Sequence, residues 1–286
     1  MKIEIEDDAY PSNLRNIQYP PKKLYVLGNE KLLKEKCISI VGSRACTEKG
    51  IEIAKKFAKD LCSHNLCIVS GMALGIDTAA HIGALKAGGK TIAVLGSGFK
   101  YIFPKENNKL FNQILENGGA IISENEENVQ VSPQGFVLRN RIVSGLSMGV
   151  LVVEAKHRSG TSITADFAFK QGKKVFCIPH GIEEKEGVGT NRLIKRGAKL
   201  VTCPQDILDE LKIKTKKIEQ EIELSDNYEL VPEEYMPVYK YISKTPINVD
   251  ELCKKTKLEI SKVNYILTML ELEGYIEQLP GKNFVR

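Results

Sequence analysis

The chain has 286 residues, of which 42% are hydrophobic and 27% are charged, and its formal net charge is +5. This balance is typical of globular proteins and excludes collagen-like and disordered chains. Residues 1–8 alternate charged and apolar side chains, so no secretory signal is predicted, and no apolar run approaches the roughly 20 residues that cross a bilayer. Seven cysteines at unrelated spacings argue against a disulfide framework or a zinc site. We expect a cytoplasmic protein with no membrane partner, no metal and no other cofactor.

The first two thirds of the chain alternate short apolar runs, typical of buried strands, with amphipathic helical patterns. The predicted elements, in chain order, are strand 37–41, helix 50–63, strand 66–69, helix 77–87, strand 91–95, helix 108–116, strand 120–122, strand 149–153, helix 162–171, strand 174–178, helix 191–196 and strand 199–202. Repeated βα units predict an α/β fold with a doubly wound, mostly parallel sheet. Ligands of such sheets bind at the carboxyl ends of the strands.

The remaining sequence predicts a linker and a small second domain. Residues 212–231 are polar, with a basic half and then an acidic half. Residues 234–243, 248–254 and 259–273 have helical patterns, and 275–285 predicts a hairpin, so 232–286 is predicted to be a winged-helix domain. That domain has 8 basic and 8 acidic residues, and the rest of the chain therefore carries the net charge of +5. We expect a short segment 1–23, a main domain 24–211, the linker 212–231 and the domain 232–286.

Three predicted loops at strand ends could bind an anion. Gly42, Ser43 and Arg44 follow the first strand, Ser70 and Gly71 follow the second, and Ser159, Gly160 and Thr161 precede the helix at 162–171. Glycines allow backbone N–H groups to approach a phosphate, hydroxyl groups donate further hydrogen bonds, and arginine can bind the anion with two donors. The alternatives are a tight turn with a solvated arginine and an ordinary helix cap.

An aromatic residue followed by an Arg-Asn-Arg triplet is typical of single-strand recognition. Phe136 could stack a base, and Arg139 and Arg141 could bind phosphates. The alternative is a core phenylalanine with two surface arginines.

Other patterns indicate little catalytic chemistry. Asp77 and His81 are four residues apart on one predicted helix, which permits an acid–base or metal pair, although helix capping and packing are favoured. Residues 96–98 (GSG) resemble the start of a dinucleotide fingerprint, but Tyr101 stands in place of its last glycine. The chain contains no phosphate-binding GxxxxGK[ST] motif.

Taken together, the motifs resemble those of the DNA-processing protein A (DprA/Smf) family. They stand in the family's order at 40–44 (IVGSR), 70–81 (SGMALGIDTAAH), 90–98 (KTIAVLGSG), 104–107 (PKEN), 122–124 (ISE), 139–147 (RNRIVSGLS), 153–155 (VEA), 159–160 (SG) and 197–198 (GA). The resemblance implies an extended Rossmann-like domain that binds single-stranded DNA, protects it and loads the RecA recombinase in natural transformation or repair. It also implies a homodimer, with Ile194 and Leu200 at the interface.

The resemblance assigns roles to the candidate residues. Arg44 would hold a phosphate, Phe136 would stack a base, and Arg139 and Arg141 would line the same basic pocket. The remaining residues, Gly42, Ser43, Ser70, Gly71, Ser159, Gly160 and Thr161, would supply backbone and hydroxyl contacts. Residues 179–181 (PHG) contain a histidine where the family usually has Pro-Gly.

Two other functions are considered beside a non-enzymatic binding protein. Related folds hydrolyse nucleoside monophosphates with a PGGxGTxxE loop, but 158–165 (RSGTSITA) has no glutamate after its Gly-Thr. The alternative is therefore a nucleotide-binding or nucleotide-hydrolysing enzyme, with Glu154 and Glu124 as the nearest carboxylates. A transcription factor would read duplex DNA with helix 259–273, whose acidic residues outnumber its one lysine, so we expect a protein-contact or weakly binding module.

Overall fold

The computed structural model describes residues 1–156, 159–213, 231–232, 234–243 and 245–286. The chain divides into two compact units, Met1–Thr215 and Lys216–Arg286. Most of the predicted linker, residues 214–230, lies outside the described residues. Within the described ranges, none of the helices combines the length and the apolar character that a membrane span requires.

The first unit is built on a nine-stranded sheet with the order β1-β2-β6-β5-β4-β3-β7-β8-β9. In this spatial order, every neighbouring pair from β6 across to β9 is parallel. At the other edge, β1 pairs with β2 and β2 with β6, both antiparallel. The strands are β1 Lys2–Glu4, β2 Lys23–Gly28, β3 Cys37–Val41, β4 Cys67–Ser70, β5 Thr91–Leu95, β6 Ala120–Ser123, β7 Gly149–Val152, β8 Lys174–Cys177 and β9 Lys199–Leu200.

Helices connect the parallel strands. They are α1 Ser12–Arg15, α2 Glu48–Ser63, α3 Ile76–Lys86, α4 Asn108–Glu116, α5 Pro133–Leu146, α6 Gly160–Lys170, α7 Val188–Lys195 and α8 Pro204–Glu210. The predicted doubly wound, mostly parallel α/β fold is confirmed.

Both faces of the sheet are buried, which explains why its strands are continuous apolar runs. Alternate residues of β3 show this, because Cys37 and Val41 belong to the core on one face and Ile38 and Ile40 to the core on the other. The polar side chain in this strand is hydrogen-bonded within the protein interior, since Ser39 Oγ donates to Val143 O at 2.8 Å.

Five elements of this unit, β1, β2, α1, α5 and α8, were not predicted. The antiparallel edge is made of the three-residue β1 and of β2, whose residues are alternately buried and half-buried. Residues 1–23 belong to the same core, in which Ile3, Tyr10, Leu14 and Ile17 are buried. The apolar residues of this segment are too few to show the periodicity of a strand or of a helix.

The described residues of the second unit form three helices and a small antiparallel sheet with the order β10-β12-β11. Its elements are α9 Met236–Tyr239, β10 Ile247–Asn248, α10 Val249–Thr256, α11 Ile260–Leu272, β11 Glu277–Leu279 and β12 Asn283–Val285. The predicted winged-helix domain is confirmed. The helix predicted at 234–243 is shorter, because Tyr241 N and Ile242 N bond to the carbonyls three residues earlier, as in a 3-10 turn.

Candidate nucleic-acid interface

A cavity of about 460 Å³ opens at the carboxyl edge of the parallel sheet. It is lined by the loops that follow β3, β4 and β7, which are neighbouring strands. The chain continues from β3 to β4 on one side and later returns to β7 on the other side of β3. Doubly wound sheets bind ligands at such switch points, because the two loops diverge and leave a crevice. The sheet topology therefore makes this cavity the candidate site.

The loop after β3 places Gly42, Ser43 and Arg44 in the cavity wall. Ser43 is buried, and its N–H donates to Glu154 O at 2.9 Å. The Arg44 side chain is exposed, and its guanidinium carbon lies 5.5 Å from the centroid of the Phe136 ring. Within the described parts of the chain, Arg44 has no ion pair, so its charge is available to a bound anion.

The loop after β4 is held by the buried charged side chains of Asp77 and Arg139, and the Ser70 hydroxyl does not face the cavity. Ser70 Oγ donates to Ile40 O at 2.7 Å, so this side chain faces the protein interior, whereas Gly71 lines the cavity. Asp77 Oδ2 accepts from Gly71 N at 3.0 Å, and Arg139 Nη1 donates to Gly71 O. Burial raises the pKa of Asp77, and the Arg139 guanidinium opposes that shift. These contacts fix the backbone that faces the cavity.

His81 lies behind this loop and is fully buried. Its Nδ1 lies 2.7 Å from Thr91 Oγ1, whose hydrogen is donated to Ile68 O, so His81 carries its proton on Nδ1. Its Nε2 has no hydrogen-bond partner among the described residues. Burial and the Arg139 charge lower the pKa of His81 to about 3. Among the residues that the structure describes, no cluster of three or more His, Cys, Asp and Glu side chains could hold a metal ion.

The predicted stacking residue lies on a helix, α5. The helix begins after Ser132, whose Oγ accepts from Gly135 N at 3.0 Å, and Pro133 occupies its first turn. Phe136 is half-buried in the cavity wall, one helical turn before Arg139. Gly135 approaches the loop after β5 so closely that an added Cβ would lie 2.4 Å from Gly96 O. This close approach holds the first turn of α5, which carries Phe136, against the loop after β5.

The two arginines of the triplet point in different directions, because residues two apart on a helix lie on nearly opposite sides. Arg139 lines the cavity but is buried, and it donates to Gly71 O and Val94 O. Burial lowers the pKa of Arg139 to about 10, and the Asp77 charge opposes this. Arg141 lies on another face, where it binds both carboxylate oxygens of Glu124 at 2.7 and 2.8 Å. We expected Arg139 and Arg141 to line one pocket, but only Arg139 lines this cavity.

The third wall is the beginning of α6, and it suits a phosphate. Ser159, Gly160 and Thr161 all line the cavity at the positive end of the helix dipole. Ser159 Oγ is buried and has no partner among the described residues, and an added Cβ on Gly160 would meet no atom within 4 Å. Among the described residues, therefore, the Ser159 hydroxyl has no acceptor, and Gly160 borders open space at the helix N-terminus. Residues 157–158 lie outside the described residues.

Lys156 adds a second exposed cation, which was not predicted. It lines the cavity, and its Nζ lies 3.5 Å from Glu186 Oε1. Because Asp77 and Arg139 both bind the backbone of the loop after β4, Arg44 and Lys156 are the accessible charges among the described residues of the cavity wall. Lys156 is the fourth residue after β7, and its position in a strand-end loop was the signal that could have identified it.

The two strand-end carboxylates that the enzyme hypothesis would use already have hydrogen-bond or ion-pair partners within the protein. Glu154 is buried, with Oε1 accepting from Thr47 Oγ1 at 2.5 Å and Oε2 from Thr47 N at 3.1 Å. It thereby supports the N-terminus of α2, for which Thr47 is the cap. Glu124 is paired with Arg141.

The predicted dimer residues lie at the opposite end of the sheet from β1. Ile194 is partly buried in α7, and Leu200 is 45% exposed on β9, which is an edge strand. The histidine at 180 has a structural role, since its Nε2 lies 2.9 Å from Val153 O and its Nδ1 lies 3.1 Å from Glu184 Oε2. It joins the loop after β8 to the end of β7.

The sequence pattern of the family described as DNA recombination-mediator protein A matches residues 2–212, and that of the DprA winged helix domain matches residues 229–282. The chain belongs to the DNA recombination-mediator protein A family. Its resemblance to this family, seen in the motifs, is confirmed.

Individual relatives agree with this assignment. DNA processing protein DprA of Streptococcus pneumoniae is 45% identical over 208 residues, which are 73% of this chain and 73% of that protein. Protein Smf of Escherichia coli is 36% identical over 282 residues, which are 98% and 75% of the two chains.

Two solved structures are also similar. DNA processing protein A from S. pneumoniae has a TM-score of 0.70 at 44% identity, covering 73% of this chain and 74% of the other. DNA processing protein A from Helicobacter pylori, whose structure concerns its single-stranded DNA binding mode, has a TM-score of 0.66 at 32% identity, covering 74% of this chain and 96% of the other.

Proposed function

We propose that this protein binds single-stranded DNA at the cavity described above. One observation carries the proposal: the Arg44 guanidinium lies over the Phe136 ring, and both line the same cavity as the N-terminus of α6. A phosphate between Arg44 and α6 would leave its attached base beside Phe136. This combination of an anion site and an aromatic face is what single strands require, since every base has a face that can stack.

Phosphate would be held by the Arg44 side chain, by backbone N–H groups of the loop after β3 and by the first turn of α6. Ser159 Oγ and the Thr161 hydroxyl are the side-chain donors nearest to that turn. Arg139 acts as a positioning residue, because its donors hold the loop after β4. Binding should show little sequence preference, since these groups contact phosphates and base faces instead of base edges. It should also weaken with salt.

The family description, recombination mediator, supports a role in which the bound strand is protected and transferred to the RecA recombinase in the cytoplasm, during natural transformation or repair. The proposal includes a homodimer through Ile194 and Leu200. Two copies on one strand would increase the overall affinity, because the second contact becomes intramolecular.

A non-catalytic role is part of the proposal. Glu154 caps α2 through Thr47, and Glu124 neutralises Arg141, so the two carboxylates nearest the cavity already have structural partners. Release of base from a nucleotide, abolished by Glu154→Gln, would favour the enzyme instead. For the second unit, retardation of a specific duplex by residues 232–286 would favour a transcription factor.

The experiment that tests the proposal is fluorescence anisotropy of labelled single- and double-stranded oligonucleotides with the full chain. A preference for the single strand supports the proposal, and equal or absent binding would contradict it.

A further inference from the structure

A second cavity, of about 200 Å³, adjoins the first and shares the Arg44–Phe136 pair with it. It lies on the side of Phe136 that faces the loop after β5. Its lining consists of Arg44, Gly71, Ala73, Leu74, Phe103, Pro104, Glu106, Phe136 and Arg139. The single-strand site as proposed so far uses only the first cavity.

The walls of this second cavity are apolar and open to solvent. Phe103 is 47% exposed and Leu74 is 41% exposed, although both are large apolar side chains. The Phe103 ring centroid lies 5.5 Å from that of Phe136, with the ring planes inclined by 46°. Adjacent exposed apolar residues of this kind mark binding surfaces, because their exposure is otherwise unfavourable. The two rings are in contact with each other, and together with Leu74 and Pro104 they line an apolar cleft beside Arg44.

The cleft is held in place by buried hydrogen bonds. Asn107 Nδ2 donates to Met72 O at 2.8 Å and to Thr78 Oγ1 at 2.9 Å, which joins the 104–107 turn to the loop after β4. Ser97 Oγ donates to Tyr101 O at 2.7 Å, which fixes the chain that leads to Phe103. A cleft fixed before binding loses little conformational entropy when a ligand enters.

The charges distinguish the ligands of the two cavities. The first cavity presents Lys156 and the N-terminus of α6, which attract a phosphate. The second presents the Glu106 carboxylate, and its other cation, Arg139, already donates to Gly71 O and Val94 O. A phosphate is less favoured beside this carboxylate than at the N-terminus of α6, whereas a base could stack on an aromatic face and donate an N–H to the carboxylate.

We propose that the second cavity is a subsite for a second nucleobase, that of the nucleotide adjacent to the one on Phe136, and that Phe103 is its stacking residue. This inference rests on the proposed single-strand binding. A strand whose phosphate lies at Arg44 would then place one base on each side of the Arg44–Phe136 pair.

The test compares wild type, Phe103→Ala and Arg44→Ala in fluorescence anisotropy with short labelled oligothymidylates. In one series of oligonucleotides an abasic sugar replaces one nucleotide at a time. We expect Phe103→Ala to bind the intact strand about tenfold more weakly, as for one lost base stack, while the slope of log Kd against log salt stays that of wild type. Arg44→Ala should instead reduce that slope, because a phosphate contact is lost.

The abasic series locates the subsite. Wild type should show two sensitive positions, and Phe103→Ala should lose its sensitivity at one of them while keeping the other. Tyr19→Ala is the matched control, since this ring is 74% exposed and lines neither cavity, so its removal should change neither the affinity nor the sensitive positions.

The outcomes separate this inference from the proposed function. If wild type does not bind the single strand, the proposed function itself fails. If wild type and Arg44→Ala behave as expected but Phe103→Ala retains wild-type affinity and the same two sensitive positions, only the second subsite is overturned. An equal loss in Tyr19→Ala would also overturn it, because the effect would then be general.

Discussion

Arg139 and Arg141 are separated by one residue and have different partners. The sequence shows two cations beside an aromatic residue, but it does not show which cation is buried. Arg139 supports the loop after β4, and Arg141 is neutralised by Glu124. A role of Arg141 in DNA binding stays a prediction, and it would require this pair to open. The burial of a charge depends on neighbours distant in sequence, and for that reason the triplet alone could not decide between these roles.

His81 makes stability depend on pH. Its pKa is about 3 in the folded protein, against an ordinary value of 6.5, because the imidazole is buried. Between these values the unfolded chain binds a proton that the folded protein does not. The free energy of unfolding should therefore fall as the pH decreases, by roughly 2 kcal/mol between pH 6.5 and pH 4.5.

Urea unfolding of wild type and His81→Asn across this range checks the expectation. An asparagine amide can still donate to Thr91 but does not titrate, so the variant should lose most of this pH dependence. Burial raises the pKa of Asp77, so this residue makes the free energy of unfolding rise as the pH decreases. Both proteins contain Asp77, so its contribution cancels in the comparison. Parallel pH profiles for the two proteins would contradict the assignment.

At the scale of elements, continuous apolar runs identified the parallel strands, because a strand buried on both faces needs apolar side chains at every position. Helix α5 was missed for a related reason. Its buried residues include Arg139, Arg141, Ser144 and Gly145, so the helical face that it buries is not apolar in the sequence. The capping serine and the following proline, Ser132 and Pro133, were the available signal for its beginning.

The beginning of α6 permits a sharp test of phosphate binding. An added methyl group at Gly160 meets no protein atom, so Gly160→Ala should leave the free energy of unfolding unchanged or raise it by less than about 1 kcal/mol. The same methyl group would occupy the space proposed for the phosphate. We therefore expect a weaker affinity for the single strand, by roughly tenfold, in anisotropy measurements.

Gly135→Ala provides the contrast. Its methyl group would lie 2.4 Å from Gly96 O, so this variant should lose stability and affinity together. If Gly160→Ala binds the single strand as wild type does, the phosphate does not lie at the N-terminus of α6.

For the whole molecule, the sheet order explains why distant motifs belong to one site. The loops after β3, β4 and β7 meet because those strands are neighbours, although their residues are up to about 120 positions apart. Repeated βα units predict that loops share an edge, but they do not give the strand order. Consequently the three anion loops were predictable as a set, whereas the proposed stacking role of Phe103 depends on its contact with Phe136, which only the structure shows.

The proposed homodimer leads to a prediction at the same scale. Leu200 is exposed on the edge strand β9, and Ile194 lies on the neighbouring α7. Glutamates at both positions would place charges in an apolar interface, so Ile194→Glu with Leu200→Glu should give a monomer by light scattering. Tyr19→Asp is the control, because Tyr19 is 74% exposed in the segment beside the other sheet edge. A dimer mass in the double variant would contradict the assigned interface.

The most direct measurement is the anisotropy of a labelled oligonucleotide, single- and double-stranded, at two salt concentrations, with wild type and Arg44→Ala. We expect wild type to prefer the single strand, and its affinity to fall with salt. Arg44→Ala should bind more weakly and with a smaller salt dependence, because it lacks one phosphate contact. If wild type fails to bind the single strand, or if loss of Arg44 changes neither affinity nor salt dependence, the cavity at the sheet edge is not the DNA site.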